Sequence, residues 1–77
     1  MEIKVLGPGC AKCQSLDKLT REEVEKNGLD ASVTKVEDIV EIMNAGIMAT
    51  PALMVDGKVV VKGRVPSESE LVKLLSH

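Results

Sequence analysis

A change of hydrophobic periodicity at Gly7-Pro8-Gly9 restricts the fold of this chain more than any other sequence feature. The apolar run at residues 3–6 ends at these turn-forming residues, which is typical of a short β-strand. From Ala11 to about Asn27, the apolar residues recur at helical spacing instead. Gly28 then stops the helix, because glycine adopts the left-handed conformation without a Cβ penalty. A strand followed at once by a helix predicts an α/β fold.

The next segments continue this alternation. Residues 31–36 alternate in polarity and predict a strand exposed on one side or at a sheet edge, and residues 37–44 predict a short helix. Ala52–Val55 is continuously apolar, as expected for a strand covered on both faces. Asp56-Gly57 is a signal for a type I′ hairpin turn, which requires positive φ at both positions, so Lys58–Lys62 is predicted to be the returning strand.

A last helix is predicted after Ser67, which forms a capping-box pattern with Glu70 and is followed by an apolar stripe at Leu71, Leu74 and Leu75. The full order is β-α-β-α-β-β-α, within one domain over residues 1–77. The first β-α-β unit is expected to be a right-handed parallel crossover and the second strand pair a hairpin. We therefore predict a four-stranded mixed sheet flanked by three helices.

Composition limits the possible functions. The chain contains no aromatic residue and has a net charge of −2 without a basic block, which argues against a nucleic-acid partner. No apolar run approaches the roughly 20 residues that span a bilayer, and the N-terminal residues do not resemble an export signal. We therefore expect a cytoplasmic monomer without a membrane partner.

Cys10 and Cys13 are the only cysteines. A bridge between them closes too short a loop to staple the fold, and in a reducing cytosol such a pair is typically catalytic or metal-binding. Cys10 stands at the start of the predicted helix, where the helix dipole lowers the pKa of a thiol. This placement predicts Cys10 as the nucleophile and Cys13 as the resolving thiol. Lys12 either stabilises the Cys10 thiolate or is a solvated surface lysine.

Cys10-Ala11-Lys12-Cys13 after the first strand and Ala49-Thr50-Pro51-Ala52-Leu53 at the third resemble the compact archaeal and bacterial thioredoxin/glutaredoxin-like proteins of the thioredoxin-like superfamily. The resemblance covers essentially the whole chain. It implies a minimal thioredoxin fold in which the Thr50–Pro51 bond is cis and faces the active disulfide. Cis bonds occur at only about 5–6% of X–Pro positions, so this expectation comes from the resemblance alone.

The same resemblance implies roles for the residues around the cysteines. Pro51 shapes the substrate groove and keeps a side chain from coordinating metal between the cysteines. Thr50 pairs its backbone with a bound substrate chain, and Gly63 either lets the substrate approach closely or is a plain turn glycine. The implied activity is thiol–disulfide oxidoreduction through a redox-active Cys10–Cys13 disulfide, with no cofactor and no metal. Its implied partners are disulfide-containing proteins and an upstream reductase.

The sequence also departs from that pattern. The glutathione-binding pattern of glutaredoxins is not evident in Gly63-Arg64-Val65-Pro66, which disfavours glutathione as a substrate. Lys4 stands where thioredoxins carry a buried acid, so the proton acceptor for Cys13 is left open. Asp17 is a candidate, although an exposed pair with Arg21 at i+4 is the more ordinary interpretation.

Other functions use the same cysteine pair. A soft-metal module holding Cu(I) is the main alternative, although copper chaperones of this size have the order β-α-β-β-α-β and a methionine where Pro8 stands. Structural zinc needs four ligands, and the chain offers two cysteines and the terminal His77. A binding module switched by its disulfide is a third interpretation.

Met48, before Thr50-Pro51, is either core or part of an adaptable apolar rim.

Overall fold

A computed structural model describes residues 1–9 and 11–75. The chain forms the predicted order β-α-β-α-β-β-α, so the expected α/β fold is confirmed. The elements, in chain order, are β1 (Glu2–Leu6), α1 (Ala11–Lys26), β2 (Ser32–Val36), α2 (Ile39–Asn44), β3 (Ala52–Val55), β4 (Lys58–Lys62) and α3 (Glu68–Leu75).

The four strands form one mixed sheet in the order β2-β1-β3-β4. β1 pairs in parallel with β2 and antiparallel with β3, which in turn pairs antiparallel with β4. β2 is therefore an edge strand, and its alternating exposed and half-buried residues agree with the alternation seen in the sequence. The parallel pair requires the long α1 crossover, whereas the β3–β4 pair needs only a tight turn.

The helices cover both faces of the sheet because successive residues of β1 point to opposite sides. Ile3 and Val5 lie in a core with Leu16 of α1. Leu6 lies in a second, smaller core with Ile42 of α2. The larger core is completed by buried residues of β3, β4 and α3, namely Leu53, Val55, Val61, Leu71 and Leu75.

The β3–β4 connection has the predicted type I′ signature, with φ of 49° at Asp56 and 83° at Gly57. Asp56 also ties this turn to the first strand. Its backbone N–H donates to the carbonyl of Glu2 at 2.8 Å, and its carboxylate accepts from the N–H of Glu2 at 2.8 Å. The hairpin therefore fixes the end of the sheet that lies away from Cys13.

Two helix starts show how local chemistry sets the boundaries. The predicted start of α2 at residue 37 is wrong by two residues, because Asp38 is the N-cap and its carboxylate accepts from the N–H of Val40 at 2.8 Å. At α3 the Ser67 hydroxyl accepts from the N–H of Glu70 at 3.2 Å, as a capping box requires. The Glu70 carboxylate binds Arg64 instead of completing the box, with Nη1 to Oε1 at 2.7 Å.

One buried polar residue was not expected. Glu23 of α1 is enclosed, with 3% of its surface exposed, whereas its neighbour Val24 is partly buried and packs against the larger core. The Glu23 carboxylate accepts from the side-chain amide of Asn27 at 3.1 Å. This bond compensates part of the cost of burying the carboxylate.

Within the part of the chain that the structure describes, no helix is long and apolar enough to cross a membrane. His77, predicted to be a solvated terminal residue, lies outside the described residues.

Candidate functional site at the end of the sheet

The strand register gathers the candidate residues at one end of the sheet. Leu6 pairs with Val36 on one side and with Ala52 on the other, and Ala52 pairs with Lys62. The next residues along this edge are therefore Glu37, Gly7, Pro51 and Gly63, in the order of the strands. Residues that are distant in the sequence thus meet where α1 begins.

Cys13 lies in the first turn of α1 and is 1% exposed. It is disulfide-bonded. Cys10 immediately precedes the first residue of α1 in the sequence but lies outside the described residues, so its role as nucleophile stays a prediction. Lys12, between them in the sequence, is exposed on the helix surface.

Gly7 is the residue against which Cys13 packs. A Cβ at Gly7 would lie 2.3 Å from Sγ and 2.8 Å from Cβ of Cys13, so only glycine leaves room for the buried sulfur. The N–H of Gly7 donates to the carbonyl of Val36 at 2.9 Å, which fixes the loop on β2. From the sequence, Gly7 is predicted only as a turn residue. The sequence signal for a close contact is the position of Gly7 between a predicted strand and the first turn of the predicted helix that follows.

The loop after Gly7 is held by two side chains that the sequence analysis did not single out. Gly9 has a φ of 90°, and its carbonyl accepts from the amide of Gln14 at 3.1 Å. The Glu37 carboxylate also approaches Gly9, with Oε2 3.4 Å from the position of a Cβ on that residue. Glu37 also pairs with Lys35, at 3.6 Å between Oε1 and Nζ.

The Thr50–Pro51 bond is cis, as the resemblance implied. Pro51 is buried, and its carbonyl accepts from the N–H of Gly63 at 2.8 Å. Gly63 has a φ of 76°, and a Cβ there would lie 3.2 Å from the Cβ of Ala49. The structure therefore brings Gly63 directly against the segment before β3, and the exposed surface of Gly63 carries no side chain that would block a ligand.

Asp17, the candidate proton acceptor for Cys13, and Lys4, at the position of the family's acid, both have other partners. Asp17 accepts from Nε of Arg21 at 3.0 Å, the helical i,i+4 pair that the sequence suggested as the ordinary interpretation. Lys4, at the place of the family's buried acid, is half-exposed and lies 3.5 Å from Glu2. Neither contact involves the cysteines.

An exposed apolar surface adjoins this edge. Met48 is 95% exposed, whereas its neighbour Ile47 is buried, so of the two interpretations offered for Met48 the structure supports the rim. The outer face of α2 adds Ile39, Val40 and Met43, all more than half exposed. Exposed apolar groups of this kind typically mark contacts with other proteins.

Only one ion pair in the described residues clearly shifts a titration. The guanidinium of Arg64 lowers the pKa of the Glu70 carboxyl through their hydrogen bond, and Glu70 raises the pKa of Arg64 in return. Both side chains are open to solvent, so the pair fixes the segment after β4 more than it stabilises the fold.

Among the described residues, no three His, Cys, Asp or Glu side chains lie close enough to hold a metal ion. Similarity to known proteins does not support the Cu(I)-binding alternative.

Comparison with known proteins agrees with this geometry. A family model described as a thioredoxin domain matches residues 1–76. A thioredoxin of Methanothermobacter thermautotrophicus is 45% identical over 76 residues, covering 99% of each chain. A thioredoxin of Methanocaldococcus jannaschii is 35% identical over 69 residues, covering 90% of this chain and 79% of its own. The chain therefore belongs to the thioredoxin family of disulfide oxidoreductases.

Proposed function

We propose that this chain reduces, or exchanges with, disulfides of protein partners through a dithiol formed by Cys10 and Cys13. The observation that carries the proposal is the row of Gly7, Pro51 and Gly63 along one sheet edge, beside the buried sulfur of Cys13. This row provides a backbone edge for a substrate chain next to a thiol that is protected from solvent.

The reaction proceeds by two exchanges at sulfur. The Cys10 thiolate attacks one sulfur of the partner disulfide, a mixed disulfide forms, and the other partner sulfur leaves as a thiolate. Cys13 then loses its proton and attacks the sulfur of Cys10, which releases the second partner thiol. Two electrons have passed to the partner, and the protein holds a Cys10–Cys13 disulfide that an upstream reductase returns to the dithiol. No cofactor or metal takes part in these steps.

We assign the two cysteines different tasks. Cys13 is enclosed by Gly7 and the first turn of α1, so a large disulfide has no access to it. A buried thiol three residues away from Cys10 in the sequence suits the resolving step, which is intramolecular. Cys10 precedes α1 and is the thiol available for the first attack, with the helix N-terminus favouring its thiolate.

The proposed substrates are proteins rather than glutathione. Thr50 offers its main-chain groups to an extended peptide, the cis Pro51 shapes the groove, and Gly63 leaves the approach open. The exposed Met48 extends this edge with an apolar, conformationally adaptable side chain. Arg64, the cation nearest in sequence to Gly63, is engaged by Glu70 in a bidentate pair, so it is not a ready-made site for the carboxylates of glutathione. A cytoplasmic location is part of this proposal, because a closely spaced cysteine pair suits redox chemistry in a reducing compartment.

Trapping of the mixed disulfide tests this proposal. Cys13→Ser is expected to accumulate a covalent complex with a disulfide-containing protein, because the first exchange remains and the second is lost. Cys10→Ser is the matched control and is expected to form no such complex. The adduct is identified by mass spectrometry before and after dithiothreitol. Adducts of Cys10→Ser in equal yield, or none with either variant, would contradict the assigned roles.

A further inference from the structure

We propose that Glu37 is a positioning residue of the redox site, whose carboxylate, balanced by Lys35, sets how much of Cys10 is thiolate. This inference rests on the proposed function and adds to it a residue that controls the first exchange. It concerns the charge placed beside the loop and not a group that touches the reacting sulfur atoms.

The pairing of β1 with β2 places Glu37 beside the loop formed by residues 7–9. Leu6 and Val36 are partners in the parallel β1–β2 register, and the Gly7 N–H donates to the Val36 carbonyl at 2.9 Å. Glu37 follows Val36 directly, just as Gly7 follows Leu6, so the two strands enter the site side by side. The position of Glu37 is therefore fixed by main-chain pairing rather than by its own flexible side chain.

The Glu37 carboxylate is turned toward the loop. Its Oε2 lies 3.4 Å from the position of a Cβ on Gly9, the residue immediately before Cys10. The side-chain amide of Gln14 donates to the Gly9 carbonyl at 3.1 Å, which holds the loop in place. Consecutive Cα atoms are about 3.8 Å apart, so the covalent chain alone keeps the Cα of Cys10 within about 9 Å of this carboxylate.

A carboxylate at this distance opposes a second negative charge. Through water, two unit charges about 9 Å apart change each other's ionisation equilibrium by about twofold, which corresponds to about a third of a pH unit. The positive N-terminal end of α1 acts in the other direction. Glu37 thus lowers the fraction of Cys10 that is present as thiolate, whereas the N-terminus of α1 raises it.

Lys35 offsets part of the negative charge of Glu37 and so reduces its effect on Cys10. Its ammonium lies 3.6 Å from the Glu37 carboxylate, and the side chain is 29% exposed against 57% for Glu37. Asp17 is engaged by Arg21, and Lys4 replaces the acid of the family pattern, so Glu37 is the carboxylate that the structure places against the loop. The elements around this end of the sheet carry further charged side chains, namely Lys12, Asp38, Lys62 and Arg64.

The test measures the alkylation rate of Cys10 against pH in the reduced full-length protein, with the modified peptide identified by mass spectrometry. Glu37→Gln is expected to lower the midpoint of the profile by about a third of a pH unit, because a negative charge is removed. Lys35→Gln is expected to raise it. Glu22→Gln, an exposed charge change on α1 near its C-terminal half, is the matched control and is expected to leave it unchanged.

Salt separates an electrostatic role from a structural one. At 1 M ionic strength the Debye length is about 3 Å, so the difference between Glu37→Gln and the wild type is expected to shrink toward zero. Midpoints that coincide for Glu37→Gln and Glu22→Gln at low salt would overturn the inference, as would a shift that persists at 1 M salt. These outcomes are distinct from failure of the proposed function, in which no reversible disulfide forms in any variant.

Discussion

The Cβ position of Gly7 lies 2.3 Å from the Sγ of Cys13. The sulfur of Cys13, the proposed resolving cysteine, therefore fills the space that a side chain at residue 7 would need. Only glycine fits at that position. The N–H of Gly7 donates to the carbonyl of Val36 beside the parallel β1–β2 pair, and Cys13 is held in the first turn of α1. The position of the sulfur thus depends on a glycine that carries no chemistry itself.

Gly7→Ala is expected to destabilise the protein by about 1–3 kcal/mol, the range of overpacking in a core, and to slow the release of the mixed disulfide. Denaturant unfolding measures the first effect and rapid-mixing kinetics the second. Gly28→Ala is the control, because its added Cβ meets nothing within 4 Å and its φ of 61° alone costs about 1 kcal/mol. If both variants are equally stable and equally fast, the contact with Cys13 has no functional weight.

Gly63→Ala is expected to slow the reduction of a protein disulfide more than that of a small soluble disulfide. The added methyl group stands beside Ala49, at 3.2 Å, on the edge where the substrate chain is proposed to lie. The strain of a φ of 76° adds a stability cost of about 1–2 kcal/mol, which unfolding measures separately. Equal loss of rate with both substrates would show that Gly63 serves the fold and not substrate approach.

Met48→Lys is expected to leave the free energy of unfolding within about 0.5 kcal/mol of the wild type, because the side chain is 95% exposed. It is expected to raise the KM for a protein disulfide, since a charge replaces an apolar contact. Val59→Lys, an exposed apolar position on β4, is the control. An unchanged KM for Met48→Lys would remove Met48 from the substrate edge.

The Arg64–Glu70 pair predicts a pH dependence of stability. Arg64 lowers the pKa of Glu70 in the folded state, so the stabilising effect is present above the unfolded pKa of about 4.5 and is lost as pH falls through the lower folded value. Glu70→Gln is therefore expected to unfold slightly more easily than the wild type at pH 7 and equally easily at strongly acidic pH. Because the pair is exposed, the difference is small and decreases with salt. A difference that grows on acidification would contradict this assignment.

Short-range rules predicted most of the architecture. The element order, the Asp56-Gly57 turn and the Ser67 cap follow from residues that are neighbours in the sequence. The start of α2 was misplaced because Asp38 competes as an N-cap with the hydrophobic spacing that suggested residue 37. Local chemistry decides such boundaries, and periodicity alone does not resolve them.

The site was predictable in part. Thr50–Pro51 and Gly63 were found through resemblance, and the structure places them together through the β3–β4 register. The roles of Gly7 and Glu37 depend on how β1, β2 and α1 meet, which no sequence window contains. The burial of Glu23 was likewise missed because it depends on tertiary packing around α1 and on a bond from Asn27.

The central claim is that Cys10 and Cys13 form a reversible dithiol–disulfide couple. The most direct test is the redox equilibrium of the metal-free protein across dithiothreitol buffers, followed by thiol alkylation and mass measurement. We expect a two-electron transition at about −180 to −300 mV, within the range of known redox proteins, in which both cysteines are modified together. If no intramolecular disulfide forms under oxidising conditions, the proposed oxidoreductase mechanism is contradicted.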